Sequence, residues 1–128
     1  LDKYCPNGVN VYFDNVGGKI TDSVINKLAN YARVAVCGVI SQYNLTEAES
    51  GLRTHRAMLT NQATTEGFLV FQFAQKYHIG MDRMAKWINE GKIIYKEDIV
   101  VGLENAPEAF IGLMNGKNFG KLLIKVSD

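Results

Sequence analysis

Short apolar runs alternate with glycine-bearing polar stretches through the first half of the chain. Residues 9–13 read as a strand entered through the turn Pro6-Asn7-Gly8. Asp14-Asn15-Val16-Gly17-Gly18 leaves that strand through two glycines. Ile20, Val24, Ile25 and Leu28 then fall on one helical face and predict a helix over 19–31. The strand predicted next, over 33–37, contains the apolar run Val34-Ala35-Val36-Cys37, which suits a strand covered on both faces. In that setting Cys37 is a buried small hydrophobe. Strand, glycine turn, helix and strand make a βαβ unit, whose crossover is almost always right-handed.

Gly38 ends the second strand, and Val39-Ile40-Ser41-Gln42-Tyr43-Asn44 follows as a loop. Residues 45–67 are polar and irregular, with a short helix predicted over 52–59. The apolar run Phe68-Leu69-Val70-Phe71-Gln72-Phe73 predicts a third strand. Beyond it the pattern changes. Met81, Met84, Ala85 and Ile88 predict a helix that runs to Glu90 and stops at Gly91. Residues 94–102 read as extended. Pro107 suits the first position of a short helix, Glu108 its first turn and Gly116 its exit, with Phe110, Leu113 and Met114 as the buried stripe. A last strand is predicted over 121–126. The fold class is therefore α/β.

Charge narrows the partners. Fourteen basic and 13 acidic residues give a net charge of +1 with no basic block. That leaves no electrostatic footprint for nucleic acid or an anionic membrane surface. No apolar run approaches the roughly 18 residues of a membrane span. Cys5 and Cys37 form no CxxC, and His55 and His78 stand far apart without partners at ligand spacing. Neither a disulfide framework nor a metal site is expected. A cytoplasmic protein is the expectation. The chain opens at Leu1 without methionine and is in a strand by Val11, as a piece of a longer chain would be.

Both early strands end in polar residues, and ligands of open parallel sheets bind outside the carboxyl ends of the strands. Asn15 and the loop bearing Ser41, Gln42 and Tyr43 are the candidates this rule selects. On their own they have plainer explanations: Asn15 as a turn former, Tyr43 as a half-buried packing residue.

Four ordered motifs change those odds. Tyr12-Phe13-Asp14-Asn15-Val16-Gly17-Gly18, Val36-Cys37-Gly38-Val39-Ile40-Ser41-Gln42-Tyr43-Asn44 and Val101-Gly102-Leu103-Glu104-Asn105-Ala106-Pro107-Glu108-Ala109-Phe110 occur in this order, with Gly116-Lys117-Asn118-Phe119-Gly120-Lys121 near the end. In these motifs the chain resembles the carboxyl-terminal part of zinc-independent medium-chain dehydrogenases/reductases, and most of all their NADPH-dependent alkenal double-bond reductase and prostaglandin reductase branch. The likeness departs from the family over 46–65, which lacks the proline-rich loop often found there.

The resemblance implies that residues 1–74 are the second half of a Rossmann-type NADP-binding domain. Residues 75–128 would be the return segment of the GroES-like catalytic domain. The family's G-x-G-x-x-G phosphate loop is absent from the chain, whose Gly17-Gly18 pair does not make one. The implied reaction is hydride transfer from NADPH to the β-carbon of an enal or enone, with Tyr43 orienting or protonating the substrate. The implied cofactor contacts are Asn15, Cys37, Gly38, Val39, Ile40, Ser41, Gln42, Tyr43, Phe68, Leu69, Val70 and Asn118. A homodimer through a strand over 68–73 is also implied. Two other readings stand beside this one: a quinone reductase of the same superfamily, and a non-catalytic dimerisation module. By itself the chain is expected to be inactive.

Overall fold

A computed structural model describes residues 1–127. It divides into two compact units, 1–75 and 76–128, each built on parallel strands.

In the first unit β1 (Val9–Asp14), β2 (Leu28–Val36) and β3 (Thr64–Gly67) form a parallel sheet in the order β1-β2-β3. Helix α1 (Gly18–Ile25) makes the crossover from β1 to β2. It buries Val24 and Ile25 against Leu28, Ala32 and Val34 of β2, and this cluster is the core of the unit. The small helix α2 (His55–Thr60) adds Ala57 and Met58 to its margin.

The helix is shorter than the apolar spacing predicts. Leu28 continues the helical face in sequence, yet it is the first residue of β2, where it is just as well buried. The chain turns at Asn26 and Lys27, and the Lys27 carbonyl accepts the Val9 N–H at 2.8 Å, fixing the start of β1. Strand β2 gains length accordingly and absorbs an irregularity: Val9 pairs with Leu28 but Val11 with Arg33. Tyr31, at φ 63°, carries that bulge.

The third strand differs more. The apolar run that opens at Phe68 is not a strand. Polar Thr64-Thr65-Glu66-Gly67 pairs with Arg33–Val36 instead, and the Phe68 N–H closes the ladder on the Val36 carbonyl at 3.2 Å. The chain then leaves the sheet, and Val70–Lys76 winds into 3-10 turns. An edge strand with exposed faces needs no apolar residues, so hydropathy selected the wrong neighbouring run. Cys37 is likewise exposed rather than buried, because β2 ends one residue earlier, at Val36.

In the second unit α3 (Tyr77–Asn89) ends ahead of Gly91, whose φ of 67° suits a left-handed stop. Strands β4 (Glu97–Val101) and β5 (Lys121–Lys125) pair in parallel across α4 (Ala106–Met114), with Pro107 in its first turn. The helices fall where the sequence places them, but their apolar stripes do not form a core. Met81, Met84 and Trp87 of α3 are exposed, as are Phe110, Leu113 and Met114 of α4. In α4 only Gly112 is buried.

Candidate functional site at the strand ends

Asp14, the last residue of β1, is the one buried charged side chain among the described residues, at 2% exposure. Its Oδ1 accepts the N–H of Val16 and of Gly17 at 2.9 Å each and the Tyr12 hydroxyl at 3.0 Å. Its Oδ2 accepts the Thr21 hydroxyl at 2.5 Å. Burial pushes this carboxyl up, but the bonds from Thr21, Gly17, Val16 and Tyr12 outweigh it and hold the group below its ordinary value. The result is a fixed turn out of β1, closed by Gly17 at φ 71° and Gly18 at φ 58°.

The same turn grips the loop after β2. The Asp14 carbonyl accepts the N–H of Cys37 and Gly38, the Asn15 carbonyl that of Ile40, and the Val16 carbonyl that of Ser41. The Ser41 hydroxyl adds a second bond to Val16. A β-carbon on Gly38 would lie 3.3 Å from the Asn15 carbonyl and 3.3 Å from the Tyr43 hydroxyl. Gly38 thus leaves room for Tyr43, a residue 64% exposed, to fold back over the strand end.

A hollow of about 560 Å³ opens beside this loop at the ends of β2 and β3, and Cys37, Gly38, Val39, Phe68 and Leu69 line it. Phe68 stands edge-on to Phe13 and Phe73, with ring centres 5.7 and 5.8 Å apart. No bond among the described residues uses the N–H of Val39 or Leu69. The donor set fits the polar end of a nucleotide: two free backbone donors beside an apolar wall. It fits that end only, since the sequence holds no G-x-G-x-x-G loop for a pyrophosphate.

The first unit therefore brings together Asn15, Cys37, Gly38, Val39, Ile40, Ser41, Gln42 and Tyr43 at adjoining strand ends. Phe68, Leu69 and Val70 follow β3 on the same side. Asn118 belongs to the second unit, where its Nδ2 donates to the Gly120 carbonyl at 2.7 Å. Sequence reasoning passed over Asp14 as part of a glycine turn. The signal was present: an aspartate ahead of two glycines and a threonine seven residues on, able to bind turn and helix together.

The chain belongs to the zinc-binding dehydrogenase family, which it matches over residues 1–124. It is 43% identical to the NADP-dependent 2-alkenal reductase of Nicotiana tabacum over 99% of its own length and 37% of that protein's. It is 42% identical to the NADPH-dependent curcumin reductase of Escherichia coli, again over 99% of the chain and 38% of the relative. The crystal structure of CurA from Vibrio vulnificus in complex with NADPH superposes with a TM-score of 0.88 at 42% identity, over 99% of this chain and 39% of that one. The chain thus spans less than two-fifths of the length of these relatives. Its α/β fold with parallel strands is that of their Rossmann-like architecture.

The family's name carries a metal, and the described residues do not fit one. No three His, Cys, Asp or Glu side chains converge as ligands among them. No helix among them is long and apolar enough to cross a membrane.

Proposed function

We propose that this chain is the nicotinamide-side half of an NADPH-dependent oxidoreductase that reduces the C=C bond of α,β-unsaturated aldehydes and ketones. What carries the reading is that nearly the whole chain aligns with a 2-alkenal reductase at 43% identity. Residues 1–74 act as the second half of the nucleotide-binding domain and 75–128 as the return segment of the catalytic domain.

Bound NADPH would supply the hydride that adds to the β-carbon of the substrate. The chain's own residues hold and orient. Asn15 and the 37–43 loop lie along the nicotinamide ribose and the adjoining phosphate, Val39 and Leu69 offer free N–H donors, and Phe68, Leu69 and Val70 flank the nicotinamide. The Tyr43 hydroxyl donates to the substrate carbonyl oxygen, where negative charge develops as the β-carbon is reduced.

Leu69, Val70 and Phe71 are 69, 51 and 77% exposed. An apolar segment of this kind calls for cover, and we assign it to a homodimer interface, made by the 3-10 turns rather than by a strand. The free thiols of Cys5 and Cys37 suit a reducing compartment, the cytoplasm.

Two measurements test the reading. The complete protein is assayed with NADPH against an enal and a quinone; faster turnover of the enal is expected, and a clear preference for the quinone overturns the substrate assignment. NADPH is also titrated into the 128-residue chain. Weak or absent binding is expected, because the pyrophosphate loop is not in it; micromolar affinity would contradict the half-site.

A further inference from the structure

Thr21 stands in α1, and its hydroxyl donates to Asp14 Oδ2 at 2.5 Å. The Tyr12 hydroxyl lies 3.3 Å from the same Thr21 oxygen and donates to Asp14 Oδ1. Each hydroxyl has one proton, so both protons go to the carboxylate. The N–H groups of Val16 and Gly17 are also on Oδ1. Thr21 is therefore the one donor to Oδ2 among the described residues.

What the carboxylate holds is a template. Three successive carbonyls of the turn, on Asp14, Asn15 and Val16, accept the N–H groups of Cys37 and Gly38, of Ile40 and of Ser41, at 2.8 to 3.2 Å. Val39 is skipped. The amides on both sides of it are tied down, and its side chain is pressed against the same turn. A β-carbon on Gly17 would lie 3.2 Å from Val39 Cγ1 and 3.3 Å from Val39 Cβ. Turning the Val39 N–H away would break bonds on either side of it. That N–H, which no bond among the described residues uses, is thus a fixed donor. Val39 lines the hollow of about 560 Å³ at the strand ends, and Thr21 does not. A donor held in place before the ligand arrives costs no reorganisation when it is used.

We propose that Thr21 is a positioning residue for the cofactor: through Asp14 and the 14–16 turn it holds the Val39 N–H in place as a donor to an acceptor oxygen of the nucleotide. The inference rests on the proposed seating of NADPH at the strand ends. It adds a hydroxyl on α1, outside the hollow, that acts on binding only through Asp14.

The test is Thr21→Val in the complete protein, which removes the hydroxyl and keeps the shape of the side chain. It is read two ways: hydrogen exchange at the amides of Ile40 and Ser41, and the NADPH dissociation constant by fluorescence titration. Faster exchange at both amides is expected, together with NADPH binding weakened about fivefold, the effect of one misplaced donor. Thr21→Ser keeps the hydroxyl and is expected to restore both readouts. Should Thr21→Val fail to fold, Tyr12→Phe takes its place, since it withdraws the hydroxyl from Oδ1 and should give the same pattern. Unchanged exchange at Ile40 and Ser41 overturns the template. Faster exchange with unchanged NADPH affinity, or a serine variant that does not recover the affinity, overturns the positioning role while the proposed function stands. If the parent itself binds no NADPH, the proposed function falls and the inference with it.

Discussion

The hydroxyl of Ser41 donates to the backbone carbonyl of Val16 at 2.6 Å, joining the loop after β2 to the turn after β1 across 25 residues of chain. The Ser41 N–H reaches the same carbonyl at 3.0 Å. The two walls of the strand-end site are thus one hydrogen-bonded unit.

Ser41→Ala should loosen that unit without unfolding it. One neutral exposed bond contributes about 0.5–1.5 kcal/mol. The expected outcome is a stability loss in that range together with faster hydrogen exchange at the amides of Ile40 and Ser41. Unchanged exchange at those two positions would show that the hydroxyl does not couple the loops.

Alanine should be costly at Gly18 and nearly neutral at Gly67. At Gly18 the backbone is left-handed, φ 58°, and a β-carbon would sit 2.9 Å from the Ser41 Oγ. Left-handed backbone alone costs an alanine about 1–2 kcal/mol. At Gly67 a β-carbon meets nothing within 4 Å, so Gly67→Ala should stay within about 0.5 kcal/mol of the parent. Denaturant midpoints of the two variants provide the comparison.

Asp14 should make the first unit acid-sensitive. Its pKa is lower in the folded state than in the unfolded chain, where it titrates near the usual 3.9 or so. The stabilisation is then complete above that unfolded value and is lost as pH falls through the lower folded one. Asp14→Asn should cost on the order of 2–3 kcal/mol at pH 7, since it replaces a buried acceptor of charge-assisted bonds. The gap between parent and variant should narrow below about pH 4. Equal acid slopes in urea titrations of the two proteins would rule Asp14 out as the source.

What the sequence made legible was what a buried face or a special backbone angle demands. Val24 and Ile25 had to find cover, Pro107 could stand only near a helix start, and Gly91 and Gly116 mark exits with φ of 67 and 68°. Leu28 satisfied two periodicities at once and was assigned to the helix, although the strand buries it. The edge strand Thr64–Gly67 has no apolar face and so no hydropathy signal; its ladder to β2 is entirely backbone. The same ambiguity put Phe68 and its neighbours in the sheet. For the candidate site, the glycine turn after β1 and the loop after β2 were legible as strand endings, and the structure joins them by hydrogen bonds. The role of Asp14 was not, because it depends on four donors arriving at one carboxylate.

The exposed segment after β3 sets the expectation for assembly. Phe71→Glu places a charge on a residue that is 77% exposed, so the monomer's fold should tolerate it. In a dimer interface the same charge is buried unpaired and strongly unfavourable. Light scattering should find the complete protein dimeric and the variant monomeric. A parent that remains monomeric at high concentration would sink the interface.

Tyr43→Phe should separate chemistry from binding. The residue is 64% exposed and its hydroxyl has no hydrogen-bond partner among the described residues, so removing the oxygen should leave the fold intact. If the hydroxyl donates to the substrate oxygen as charge develops there, the interaction is strongest in the transition state, and its loss falls on kcat. A fall in kcat of about 100-fold with an enal, against less than about a twofold change in NADPH affinity, is the expected pattern for a lost donor of this kind. Gly38→Ala is the companion variant. Its β-carbon would stand 3.3 Å from the Tyr43 hydroxyl, which must give by a few tenths of an ångström, so it should reduce kcat in the parent but add little in the Tyr43→Phe background. If Tyr43→Phe instead raises KM for the enal and leaves kcat unchanged, the hydroxyl binds substrate equally in ground and transition states, and Tyr43 is an orienting residue rather than a catalytic one.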